Sequence, residues 1–264
     1  MLELYHTDHS VCSQKVRVCL GEKKLEYVSR EIDIVGGEHQ TPQYLALNPK
    51  AVVPTLVHDG RPIIDSTIIN EYIDDVWPEP ALKPKDPYER QLMRQWTKRL
   101  DDKVHYETAV ITYGIAFREM QLARLTPAQI KELQERDPDP DHRARRQEAM
   151  EKGMDSRFFH GAVKVYKKML DDMETTLSEH QWLAGSTYSL ADVAYTAYIT
   201  RVRNLKMLPL IEERPHLKAW FEKICARPSY QDGIQKFWNS SKVKLMNEKG
   251  EAAWPKVLSI LKAA

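Results

Sequence analysis

Ser10-Val11-Cys12-Ser13-Gln14-Lys15-Val16-Arg17 lies between a short alternating run, Leu2-Glu3-Leu4-Tyr5, and the apolar positions Val16, Val18, Cys19 and Leu20. The run before it reads as a strand and the positions after it as the buried face of a helix. The helix is expected over 13–23, with Ser13 as candidate N-cap and basic Lys23 and Lys24 near its end. A hydroxyl and a thiol therefore fall where a strand hands over to a helix. Helix N-termini present unpaired N–H groups and a partial positive charge, and both favour an anion. A thiolate gains from that setting, whether it belongs to Cys12 or to a bound ligand.

Working outward, Glu26 to Ile34 alternates again and reads as a second strand, so the first stretch is a βαβ unit. Gly36 to Gln40 is turn material, and Gln43 to Leu47 reads as a turn or two of helix. Pro54 heads the apolar run Thr55-Leu56-Val57. A proline tolerates the first position of a strand, and a cis bond there leaves Val53 free to pair with an extended ligand backbone. His58-Asp59-Gly60-Arg61 is a hairpin signal. Asp65-Ser66-Thr67 then opens a helix with Ile68, Ile69, Tyr72, Ile73 and Val76 on its apolar positions. Residues 1–80 form an α/β domain on this reading.

The composition shifts at Trp77 to Pro87, where four prolines within ten residues mark a linker. Beyond it only helical patterns follow, over roughly 87–123, 126–135, 142–178, 190–206, 215–226 and 228–238. The second domain, 88–264, is expected to be all-helical. Its charged segment 141–157 reads as a solvated helix face. Ser189-Leu190-Ala191-Asp192 is a capping box of structural purpose. The lysine-rich tail from Ser240 is expected to dock as a short helix through Trp254, Val257, Leu258 and Leu261.

A net charge of +1 over 264 residues gives no sign of a nucleic-acid partner. The three cysteines, Cys12, Cys19 and Cys225, have neither zinc spacing nor a disulfide framework, so no metal is expected and a reducing compartment is favoured. Cys19 and Cys225 fit as small buried apolar residues. No run approaches the ~20 apolar residues of a membrane span, and the first residues lack a leader pattern. A cytoplasmic location is the expectation.

Four pieces then carry a specific resemblance. They are Ser10 and Cys12 with Val16-Arg17; Asn48-Pro49 followed by Val53-Pro54; Asp65-Ser66; and Ser189-Leu190-Ala191-Asp192 near Trp182-Leu183-Ala184-Gly185, with Ala226-Arg227-Pro228 after it. In this order the chain resembles a cytosolic glutathione S-transferase over about 230 residues. The resemblance implies a thioredoxin-like glutathione-binding domain, an all-helical substrate domain and a homodimer. It implies that Val53, ahead of a cis Pro54, pairs with the cysteinyl backbone of glutathione. Ser66 holds the γ-glutamyl carboxylate, Asp65 the ammonium, and His39 stands near the glycyl end. The chain departs from some classes at Val52, where they carry lysine; Lys50 is a nearby substitute.

The catalytic group of such enzymes lowers the pKa of the bound thiol. Ser10 falls where serine-type classes keep that group, with Ser13 as rival, and Cys12 falls where cysteine-type classes keep their thiol. The loop resembles bacterial glutathione-dependent reductive dehalogenases of chlorinated hydroquinones. His58-Asp59-Gly60, Asp65-Ser66-Thr67, Glu71-Tyr72 and Arg94-Gln95-Trp96-Thr97-Lys98 resemble bacterial β-etherases of lignin degradation, which do not share the Ser10/Cys12 pair. Either chemistry needs an aromatic pocket, for which Tyr106, Tyr113 and Phe117 are the candidates, although each also fits a core. Glutathione and a small aromatic compound are the expected partners. A zeta-like maleylacetoacetate isomerase and a non-catalytic binding module remain as alternatives.

Overall fold

The computed structural model describes residues 1–263. Its first part is a four-stranded mixed sheet in the order β2-β1-β3-β4, built from β1 (Leu2–His6), β2 (Val28–Glu31), β3 (Thr55–His58) and β4 (Arg61–Ile64). β1 and β2 run parallel across the crossover helix α1 (Val11–Glu22), while β3 and β4 pair antiparallel through Asp59-Gly60. Both turn residues have positive φ, 48° and 78°, the geometry a two-residue hairpin of matching twist requires. The second strand is shorter than the alternation suggests, because only Val28–Glu31 finds partners on β1.

The start of α1 differs from the sequence expectation. Ser10, not Ser13, is the N-cap: its backbone is extended and its Oγ accepts the Ser13 N–H at 3.2 Å. Ser13 lies inside the helix, fully buried. Arg17, also buried, fixes the loop that leads into α1. Its guanidinium donates to the carbonyls of Thr7 and Asp8, both at 2.8 Å, and to the Gly233 carbonyl at 2.7 Å. The loop is therefore held from beneath, and Ser10 is presented in a fixed position.

After α2 (Pro42–Leu45) and α3 (Ser66–Val76), the proline-rich stretch runs as an anchored strap. Asp74 accepts from Lys23 at 2.5 Å and from the Leu82 N–H at 2.8 Å, and the Leu82 carbonyl accepts from the Leu190 N–H. The rest is helical: α4 (Pro87–Arg99), α5 (His105–Thr112), α6 (Arg118–Arg124), α7 (Pro127–Glu135), α8 (Pro140–Lys152), α9 (Arg157–Glu179), α10 (Leu190–Asn204), α11 (Pro209–Glu212), α12 (Pro215–Cys225), α13 (Pro228–Gly233) and α14 (Ser240–Lys262). Two π-helical turns, Leu100–Val104 and Tyr113–Phe117, join α4, α5 and α6 into one continuous rod. The pattern over 142–178 is two helices, divided at Gly153, whose φ is +57°.

One apolar cluster joins the two parts, from Leu4 and Leu20 through Ile69 to Tyr195 and Trp220. Beneath it Ser189 and Asp192 form the expected capping box. Asp192 also accepts from the Leu183 N–H and the Trp220 indole N–H at 3.1 and 2.9 Å. The tail is not a short helix but one of 23 residues, docked by Met246, Ala253, Val257 and Ile260. Gly250 permits this: a Cβ there would stand 1.9 Å from the Leu205 carbonyl oxygen, so only glycine allows the approach.

Candidate functional site

A cleft of about 210 Å³ opens between the loop that follows β1 and the rod of α5 and α6. Its sheet side is formed by Thr7 to Val11 and Ala51 to Val53, and its helical side by His105, Thr112, Tyr113, Phe117 and Arg146. Ser10 sits at the floor. As N-cap its oxygen accepts from Ser13, and its own O–H is donated to no group among the described residues. A hydroxyl that accepts on one lone pair and keeps its proton free can donate to an anion above the first turn of α1. Ser13 is fully buried, accepts the Thr7 N–H at 3.4 Å and is not among the residues that line the cleft, whereas Ser10 is.

Val53 lines the cleft, and its bond to Pro54 is cis. Neither the N–H nor the C=O of Val53 takes part in a hydrogen bond among the described residues. A segment that ends a sheet with both main-chain groups free can pair with an extended peptide. His39 also lines the cleft, 4% exposed, with Nδ1 unpartnered. Burial and the neighbouring Arg146 charge bring its pKa down to about 4, so the ring is neutral near pH 7.

Pro54, Asp65 and Ser66 are not among the residues that line the cleft. Asp65 precedes α3 with φ +68°, and its carboxylate holds Lys50 at 2.6 Å. Ser66 begins α3 and is nearly buried beside Cys12. Cys12 is half-buried and does not line the cleft either. Its sulfur stands against the His105 imidazole, 3.6 and 3.9 Å from the two ring nitrogens, and the Tyr198 hydroxyl lies 3.3 Å from Nδ1. Burial pushes the Cys12 thiol up, but the His105 charge and hydrogen bond, with Lys15 and the Ser66 hydroxyl, bring it down to about 7. In return the Cys12 thiolate raises the pKa of His105 against the effect of burial. Cys19, on the same helix but in an apolar setting, is pushed well above the ordinary thiol range by burial.

The aromatic candidates divide. Tyr113 and Phe117 line the cleft, edge to face with their centres 5.8 Å apart. Tyr106 does not; its hydroxyl donates to Asp139 at 3.1 Å at the start of α8, which corrects its assignment to the pocket. The helix period explains the split. His105, Thr108, Ala109 and Thr112 form one stripe of α5 facing the cleft, and Tyr106 is turned about 100° from His105. That stripe was readable as i, i+3, i+4, i+7 spacing, and His105 on it is the residue the sequence reading missed. Arg146, on the charged helix read as solvated, is 7% exposed and lines the same cleft. His9, buried with both ring nitrogens unpartnered, and Arg201 had no local sequence signal.

Residues 9–76 match the glutathione S-transferase N-terminal domain, and residues 162–228 match the glutathione S-transferase C-terminal domain. The chain is 30% identical over 260 residues to Protein LigF of Sphingobium sp. (strain NBRC 103272 / SYK-6), covering 94% of this chain and 98% of that protein. It is 32% identical over 240 residues to the tetrachloro-p-hydroquinone reductive dehalogenase of Sphingobium chlorophenolicum, covering 87% and 94%. Among solved structures, the β-etherase LigF from Sphingobium sp. strain SYK-6 superposes with a TM-score of 0.80 at 27% identity, over 89% of this chain and 99% of that one.

Proposed function

Since this chain belongs to the glutathione S-transferase family, we propose that its cleft binds glutathione over the first turn of α1 and directs the thiolate at an aromatic second substrate. The observation that carries this reading is Ser10, an N-cap whose free O–H lines the same cleft as the free main chain of Val53. The hydroxyl donates to the glutathione sulfur and stabilises its thiolate, aided by the α1 N-terminus. Val53, presented by Pro54, pairs with the cysteinyl backbone. Ser66 and the N–H groups of α3 take the γ-glutamyl carboxylate, and Asp65 exchanges Lys50 for the ammonium. His39 stands at the glycyl end as a neutral donor. Tyr113 and Phe117 hold the aromatic ring.

The chemistry read first is β-aryl ether cleavage, because the cleft supplies all it needs without Cys12. The glutathione thiolate attacks the carbon that bears the aryloxy group, a C–S bond forms, the C–O bond breaks, and a phenolate leaves with the electron pair. Reductive dehalogenation is the second reading, favoured by the Cys12–His105 contact. There the thiolate first displaces halide. Cys12 then attacks the sulfur of the glutathionyl adduct, the carbon leaves as a carbanion and is protonated, and a second glutathione releases glutathione disulfide from the mixed disulfide on Cys12. A homodimer in the cytoplasm belongs to the same proposal on the strength of the resemblance, and sedimentation velocity tests its first half.

The experiment is a panel: enzyme with glutathione and a β-aryl ether, a chlorinated hydroquinone or maleylacetoacetate, products identified by mass. Ether cleavage retained by Cys12→Ser supports the first reading. A glutathionyl adduct that accumulates in Cys12→Ser, where wild type releases the dehalogenated product, supports the second. No turnover of any of them beside retained glutathione binding would overturn both in favour of a binding module.

A further inference from the structure

Arg146 is the anomaly of the cleft. It comes from α8, whose charge-rich sequence reads as solvent-facing, yet it is 7% exposed and lines the cavity. Among the described residues its guanidinium makes no ion pair and no hydrogen bond, and its Nε is fully enclosed without a partner. What it does contact is a ring: the guanidinium carbon lies 5.2 Å from the centre of Tyr113. Asp137, whose carboxylate feels the Arg146 charge, is already bound to His142 Nδ1 at 2.6 Å and to the Asp139 N–H at 3.1 Å.

A second cation repeats the arrangement. Arg201 is 3% exposed, donates to Thr112 and to the His9 carbonyl, has no carboxylate partner among the described residues, and stands 4.9 Å from the centre of Phe117. Two buried guanidinium groups thus cover two aromatic rings on the helical side of one cleft without a direct ion pair among the described residues; the nearby carboxylates, Asp8 and Asp137, are bound to Lys242 and His142. Burying an unmatched charge is costly, and the cost is recovered when an anion enters with good hydrogen-bond geometry. Arginine presents a planar fork suited to a carboxylate or a phenolate oxygen.

We propose that the second substrate of this cleft carries its own anion, a carboxylate or phenolate on an aromatic ring, and that Arg146 is the group that pairs with it. This rests on the glutathione-transferase reading of the same cleft. Arg146 stands over Tyr113 on the helical side, away from Ser10 and Val53 on the sheet side, which favours the aromatic substrate as the source of the anion; it also neighbours His39, so the glycyl carboxylate of glutathione is the competing source that the test separates. Tyr113 and Phe117 stack the ring and Arg146 orients it by its charged edge.

The test is calorimetric titration of the full chain with benzoate and with benzamide, each in the presence of saturating S-methylglutathione. Wild type is expected to bind benzoate about tenfold or more tightly than benzamide. Arg146→Met is expected to erase that preference and Arg146→Lys to keep part of it. Because removing a buried charge without an ion pair offsets the lost contact with the Tyr113 ring, Arg146→Met should melt close to wild type. Equal binding of benzoate and benzamide by wild type would overturn the proposal, and wild type with Arg146→Lys keeps that comparison open should the methionine variant misfold. A loss in Arg146→Met of affinity for S-methylglutathione, absent when its glycyl carboxylate is esterified, would also overturn it by assigning the anion to the peptide. If wild type binds benzoate selectively but not S-methylglutathione, the anion site stands and the glutathione reading falls.

Discussion

The two sides of the cleft are built from different material. On the sheet side the functional groups are main chain and short caps: the Ser10 hydroxyl at a helix start and the free N–H and C=O of Val53. Buried Arg17 holds that loop by its carbonyls, so its geometry depends little on which side chains face the ligand. On the helical side the groups are long side chains, His105, Tyr113, Phe117 and Arg146, delivered by three separate stretches of helix. A backbone-built side suits one invariant peptide, whereas a side-chain-built side changes its partner with a few substitutions. Under the proposed function, glutathione would be recognised on the first side and the second substrate chosen on the second.

The largest effect is expected where the helical side is founded. Asp192 satisfies the N–H groups of Leu183 and Ser189 and the Trp220 indole, all buried. Asp192→Ala leaves those donors without acceptors and should destabilise the fold by about 3–4 kcal/mol, read as a lower midpoint in urea. If the comparison is right, α10, which carries Tyr198 and Arg201, should lose amide-exchange protection before β1 and β3 do. Equal loss in both would mean the two sides unfold as one.

Ser10→Ala is the next step down. Removing one donor to a developing or resting anion lowers kcat/KM by roughly 10²-fold, about 2.7 kcal/mol, and the lost N-cap costs about 1 kcal/mol of stability. Ser10→Thr should retain most turnover. Wild-type activity in Ser10→Ala would reduce the sheet side to a binding surface and move activation elsewhere.

His105, on the helical side, touches Cys12 of α1 and sharpens the distinction. Below about pH 7 the Cys12 thiol is protonated and unreactive; above it the thiolate forms, because His105, Lys15 and Ser66 outweigh the burial that pushes the thiol up. His105→Leu leaves burial less opposed, so the midpoint rises. At pH 7 the thiolate falls from about half to a few per cent, an alkylation rate lower by about fifteenfold. The measurement is iodoacetamide labelling of Cys12 against pH in a background with Cys19 and Cys225 replaced by serine. A midpoint that stays near 7 in His105→Leu would assign the effect to Lys15, Ser66 and the α1 N-terminus instead.

The sheet side was legible in the sequence because its signals are local. The Asp59-Gly60 hairpin and the Asp65-Ser66 helix start each follow from residues a few positions apart. Ser13 read as the cap of the first helix, but two serines three apart both qualify, and the extended backbone at Ser10 places the cap there. The helical side was less legible. Tyr106 was misplaced because adjacent helix positions look alike in composition yet diverge by 100°, and two π-helical turns reset the period on either side of α5. Arg146 lies in a charge run whose solvent-facing appearance is right for its neighbours; its burial comes from packing against the Tyr113 turn, which no local pattern records. The length of α14 was hidden by Pro255 and its lysines, and was set by docking of Met246, Ala253, Val257 and Ile260.

The smallest effect concerns the tie between the two sides. Lys242, from α14, reaches across to Asp8 on the sheet-side loop, with its Nζ 2.9 and 2.7 Å from the two carboxylate oxygens. The pair is partly open to solvent, 32% and 12% exposed, so screening and the ordering of a long side chain offset most of the Coulombic gain. Lys242→Met should therefore cost no more than about 0.5–1 kcal/mol. Arg17 still holds the Asp8 carbonyl in that variant, so the loop should not move and KM for glutathione should change by less than about twofold. A larger change in KM with the same melting temperature would show that α14 sets the position of Ser10. Recognition of the peptide would then depend on the helical side, and the two sides would be one device instead of two.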